Sequence, residues 1–118
     1  EKPERNQKPG KYFVWEHGER NACFNAARIG VSLLGATMFT QGTPCADCAR
    51  AVIQSGIKRV VVDKNWDAGN APKWAESAKF SEEMFSEAGV KLHKLDFSKT
   101  TPGSIDGLHD GKACKVLQ

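Results

Sequence analysis

A chain of 118 residues, 40% hydrophobic and 26% charged, holds enough apolar material for one compact domain with a modest core, and too little for two. Its 17 basic and 14 acidic residues are scattered, so the net charge of +3 does not build the concentrated basic face by which proteins hold nucleic acid, and a small-molecule partner is expected. The sequence has no run of about 18 apolar residues and no basic-then-apolar leader, which argues against a membrane and for a cytoplasmic setting.

Residues 1 to 11 carry Pro3, Pro9 and Gly10 among charges and read as loop, with Lys2, Arg5, Lys8 and Lys11 as a solvated arm. Tyr12, Phe13, Val14 and Trp15 are aromatic or β-branched, either a short strand or an ordered apolar approach to His17. From Glu19 to about Ile29 the residues Ala22, Cys23, Ala26, Ala27 and Ile29 recur at helical spacing, and Gly30 is a natural stop. Ala36 to Thr40 suits a short buried strand that ends in the turn Gln41-Gly42-Thr43. Pro44 fits the first turn of a second helix, where a missing N–H costs nothing, and Ala46, Ala49, Val52 and Ile53 give that helix an apolar face up to Gly56.

Ile57 to Val62 is the clearest strand signal. Asp63 to Ala71, rich in Asn, Asp and Gly, reads as a loop that contains Trp66. Pro72 to Ala88 reads as a third helix with Trp74, Ala78, Phe85 and Ala88 on its buried face, closed by Gly89. Val90 to Leu95 alternates as a half-buried strand, and Pro102, Gly103, Gly107 and Gly111 break any period in the tail, residues 98 to 118. The order of strands and helices predicts a single α/β domain over residues 1–118, layered, with neighbouring strands partly parallel.

The chemistry concentrates in two pieces, Trp15-Glu16-His17-Gly18-Glu19-Arg20-Asn21-Ala22 and Thr43-Pro44-Cys45-Ala46-Asp47-Cys48-Ala49-Arg50. One imidazole and two thiols three residues apart make a three-ligand zinc set, and three protein ligands leave the fourth tetrahedral position for water. Cys45 and Cys48 in the first turn of a helix would meet backbone N–H groups and the positive end of the dipole, which favours the ligating thiolate. Glu19 is then a spare carboxylate beside the metal, suited to moving protons. The alternative is a structural staple, which normally has four protein ligands; His93 and Cys114 could in principle supply a fourth. Cys23 reads as a core thiol, His93 and His109 as surface or packing residues, and Trp66 as a candidate for lining a pocket.

The arrangement His17-x-Glu19 followed by Pro44-Cys45-x-x-Cys48 resembles the signature of the zinc nucleobase deaminases. With Lys11-Tyr12, Arg20-Asn21-Ala22, Ala49 and Gln54-Ser55-Gly56-Ile57 around it, the chain is similar to the cytidine and deoxycytidylate deaminase superfamily, in particular its deoxycytidylate (dCMP) deaminase-like branch. The resemblance implies a cytidine deaminase-like three-layer fold with a mixed sheet between helices, and hydrolytic deamination of dCMP to dUMP and ammonia. It implies His17, Cys45 and Cys48 as Zn2+ ligands and Glu19 as the proton shuttle. Asn21 follows as a sugar or phosphate contact, Arg20 as a phosphate contact, and the backbone around Thr43 as acceptor for the exocyclic amine. It also implies a homo-oligomer.

Two features depart from the pattern. Gly18 stands where such families usually carry Ala, which removes no catalytic group, so activity is expected to survive. The superfamily places a helix and two strands ahead of the His, and only 16 residues precede His17 here, so a five-stranded sheet is not expected from this chain alone.

Overall fold

The computed structural model describes residues 14–99 together with Pro3, Gln7 and Lys8. In chain order it contains α1 (Gly18–Ile29), β1 (Thr37–Thr40), α2 (Ala46–Gln54), β2 (Arg59–Asp63), α3 (Lys64–Ala88) and β3 (Lys91–Leu95), followed by a 3-10 turn, Phe97–Lys99. The expected tail from residue 100 onward, including Cys114 and His109, and most of the basic arm lie outside the described residues. Of the aromatic approach to His17, Val14 and Trp15 are described; both are exposed and neither is in a strand.

The three described strands form one sheet in the order β1-β2-β3. Both pairings are parallel, with Met38 opposite Val60 and Val60 opposite Leu92. A parallel pair needs a crossover, and α2 and α3 supply the two. The sheet is therefore parallel throughout its described part, and the antiparallel strand that would make it mixed is not among the described residues.

Strand alternation decides what is buried. Met38, Val60 and Val62 stand on one face of the sheet and form a single core with Cys23 from α1, Ala49 and Val52 from α2, and Phe85 from α3. His93, two positions from Lys91, belongs to the other face with Val61, its register partner. Its Nε2 is buried without a hydrogen-bond partner.

The largest difference from expectation is α3, which begins at Lys64, whereas the pattern suggested a loop up to Ala71 and a helix from Pro72. Asp63 caps it by accepting the Asn65 N–H at 3.1 Å. Gly89, at φ 78°, ends it in a left-handed turn that lets the Val90 N–H reach back to the Phe85 carbonyl. Pro72 thus lies inside a helix, where it removes one backbone hydrogen bond. The first turns hold because they have tertiary partners, described below. Two smaller differences follow the same logic. Pro44 precedes α2 instead of entering it, since Cys45 is the N-cap residue. Trp74 and Ala88, expected on the buried face of α3, are exposed, and Ser81 is fully buried there with Phe85.

A continuous α3 makes Pro72→Ala stabilising, by about 1–3 kcal/mol in urea unfolding, because Ala restores the N–H and relieves the ring's clash with the preceding turn. A helix that started at Pro72 would gain nothing from the change.

Candidate metal centre and cleft

The site lies at the carboxyl ends of β1 and β2, where parallel α/β sheets place their ligands. The chain leaves β1 at Thr40, passes through Gln41 to Pro44 and enters α2, while β2 leads into α3; the Asp63 N–H binds the Gln41 carbonyl at 2.9 Å and ties the two exits together.

Three side chains converge there from two helix N-termini. His17 is the N-cap residue of α1, Cys45 is the N-cap residue of α2, and Cys48 lies in the first turn of α2. Their ligand atoms all lie within 4.8 Å of one another. His17 Nδ1 is 3.5 Å from Cys45 Sγ and 3.4 Å from Cys48 Sγ. Zinc bonds of about 2.3 Å to sulfur and 2.0–2.1 Å to nitrogen, at the tetrahedral angle, put nitrogen and sulfur about 3.5 Å apart, so the set fits one such ion. Among the described residues His17, Cys45 and Cys48 are the whole group, and no fourth protein ligand joins them.

Each thiol affects the other's proton. Cys45 is held down, to about 5, first by its side-chain hydrogen bond with Cys48 and then by the Cys48 backbone N–H and by His17, against the effect of burial. Cys48 is pushed well up, first by the bond to Cys45, then by burial and by the charges of Cys45 and Glu19. Metal binding requires both thiols as thiolates and so would release protons from the pair.

Glu19 lies in the first turn of α1, half-buried, and its Oε1 accepts a hydrogen bond from the Thr40 hydroxyl at 2.8 Å. With His17 and Cys45 it lines a cavity of about 220 Å3 that is walled by Gln41, Gly42, Thr43 and Pro44 on one side and by Trp66, Trp74, Ser77 and Ala78 of α3 on the other. Trp66 packs so closely on Gly42 that a Cβ there would collide with the indole Cδ1 and Nε1. Asp67 accepts both the Thr43 N–H at 2.8 Å and the Thr43 hydroxyl at 2.5 Å. These two contacts are what keep the start of α3 against the loop.

Of the residues singled out from the sequence, His17, Glu19, Thr43, Cys45 and Trp66 line this cavity, and buried Cys48 completes the metal set beside it. Trp66 does so from a helix, not from a loop. Arg20 and Asn21 are not among the lining residues: Arg20 pairs with Glu16 at 3.4 Å and stacks over Phe24, in the groove between α1 and α2, and Asn21 is exposed. Four contributors went unnoticed. Thr40 and Asp67 position Glu19 and Thr43, while Ser77 accepts the Ala46 N–H at 2.9 Å and Ser81 donates to the Pro44 carbonyl at 2.6 Å. Two serines four apart, interleaved with the apolar stripe of α3, were the available signal.

The sequence matches the family described as the cytidine and deoxycytidylate deaminase zinc-binding region over residues 4–64. The chain belongs to that family. Among its relatives, the deoxycytidylate deaminase of Enterobacteria phage T4 is 42% identical over 82 residues, which are 69% of this chain and 42% of that protein. The deoxycytidylate deaminase of Homo sapiens is 33% identical over 92 residues, 76% of this chain and 47% of the relative. The cytosine deaminase of Candida albicans is 36% identical over 61 residues, 51% of this chain and 41% of the relative. The chain thus spans less than half the length of these curated relatives. No helix among the described residues is long and apolar enough to cross a membrane.

Gly42→Ala should force the Trp66 ring off the loop, costing about 1–3 kcal/mol and shifting tryptophan emission to the red. The shift is absent when Trp66 is first replaced by Phe, and metal content does not change.

Proposed function

We propose that this chain is the zinc-holding part of an enzyme that hydrolyses dCMP to dUMP and ammonia. The observation that carries the reading is the half-buried Glu19 carboxylate sharing a cavity with a His17, Cys45 and Cys48 set that matches tetrahedral zinc in donor type and spacing. Relatives that bear the name deoxycytidylate deaminase, in phages T4 and T2 and in Homo sapiens, support the choice of nucleotide.

Zinc held by His17 Nδ1 and the two sulfurs would supply water activated for attack near neutral pH. The remaining work belongs to the chain. Glu19 takes the proton from the attacking water and delivers it to the ring nitrogen beside the amino-bearing carbon. It then takes the proton of the newly added hydroxyl and passes it to the departing amine, so that water adds, ammonia leaves and the carboxylate is regenerated. Trp66 and Trp74 offer ring faces on which a base can stack across the cavity. Thr43 has its N–H and hydroxyl committed to Asp67, which leaves its carbonyl to accept the exocyclic amine. For Arg20 to reach a phosphate it must leave Glu16, a partly exposed pair that holds it by no more than about 1 kcal/mol; Asn21 is the neighbouring sugar or phosphate contact.

The test is ammonia release from dCMP, deoxycytidine, CMP and dCTP by zinc-loaded protein. Glu19→Ala should keep one zinc per chain and lower kcat by about 10²–10⁴-fold, whereas Cys48→Ser should lower zinc content itself. Turnover of deoxycytidine or of free cytosine in place of dCMP would reassign the substrate. No turnover with zinc fully bound, by this chain and by a version extended at its N-terminus, would make the metal structural.

A further inference from the structure

Glu19 must face two proton acceptors in turn, and a glutamate on the first turn of a helix has three rotatable bonds with which to miss them. The structure opposes that freedom from an unexpected direction. Thr40 is the last residue of β1, 4% exposed, on the face of the sheet that carries Met38 and the register partner Val62. A hydroxyl among such neighbours costs free energy unless it is hydrogen-bonded. Its partner is Glu19 Oε1, 2.8 Å away on a different element and 21 residues earlier in the chain. Thr40 does not line the cavity, so it acts only through Glu19.

We propose that Thr40 is a positioning residue, whose buried hydroxyl fixes the Glu19 carboxylate in the rotamer that faces the cavity. A β-branched side chain on a packed strand has little freedom about χ1, so the hydroxyl is a rigid donor. Its bond to an ionised acceptor belongs to the stronger class of hydrogen bonds. The strand end thereby holds one oxygen of a carboxylate whose backbone belongs to α1. For its catalytic half the inference rests on the deaminase reading given above.

Two experiments test it. In the first, Thr40→Val and Thr40→Ser are compared with the parent for zinc content, kcat and KM on the best cytosine substrate. Thr40→Val should keep its zinc and its KM and lose kcat by about 10–100-fold, and Thr40→Ser, which keeps the hydroxyl, should recover most of it. A rise in KM with kcat unchanged, or equal losses in Val and Ser, overturns the proposal. The second needs no turnover: thermal unfolding of Thr40→Val in the Glu19 and Glu19→Ala backgrounds. Thr40→Val should lower Tm by about 4–8 °C where Glu19 is present and by clearly less where it is absent. Equal losses in both backgrounds overturn the proposal. No turnover on any substrate, by this chain and by a version extended at its N-terminus, would overturn the deaminase reading, and the unfolding cycle would still decide whether Thr40 holds Glu19.

Discussion

The anchoring of Pro44, Cys45 and Ala46 onto α3 is the constraint from which the site's geometry follows. A cysteine side chain is short, so the position of Cys45 Sγ is set by its backbone. That backbone is gripped on both sides, with the Ser81 hydroxyl on the Pro44 carbonyl and Ser77 Oγ accepting the Ala46 N–H. The Ala46 N–H is one of the donors that the start of α2 leaves without an intrahelical partner, so Ser77 caps a helix from a distance. Loss of the Ser81 bond would leave the buried Pro44 carbonyl unpaired at about 1–3 kcal/mol. It would also free the corner on which a metal ligand rides, so the metal centre is specified by α3 although α3 contributes no ligand.

The charge at the centre is arranged by the same two helix starts. All three ligands sit at or within a turn of the N-terminus of α1 or α2, where the backbone carries partial positive charge. This favours thiolate, and the hydrogen bond between the two sulfurs lowers the pKa of Cys45 and raises that of Cys48.

Much of this was legible in the sequence. Helical spacing located α1 and α2, a β-branched run located β2, alternation located β3, and the spacing of His17, Cys45 and Cys48 identified a metal set that the fold does bring together. The first two turns of α3 were not legible, because Asn65, Asp67, Gly69 and Asn70 are loop-forming residues by local preference. What keeps that stretch helical is long-range: Trp66 on Gly42 and Asp67 on Thr43. Trp74 was misplaced for a related reason. The apolar period of α3 cannot say that one end of its stripe faces a cavity rather than the core. Ser77, Ser81 and Thr40 were passed over because each acts through a partner more than twenty residues away, on which local spacing is silent.

The wall opposite the metal shows how such long-range pairs shape recognition. Lys94 of β3 lies 2.6 Å from Glu82 and 3.9 Å from Asp67, so the Thr43 loop is braced through Asp67 of α3 to β3. Because Asp67 takes both donors of Thr43, the carbonyl is the polar backbone group this residue has left for whatever enters the cavity. Under the proposed reading that asymmetry has a chemical consequence. The substrate carries an amine at the reacting carbon and can donate to a carbonyl there. The product carries a carbonyl oxygen at the same position, and two acceptors face each other without a proton between them. Under that reading Asp67, by holding both Thr43 donors, would make Thr43 favour the substrate over the product without touching either.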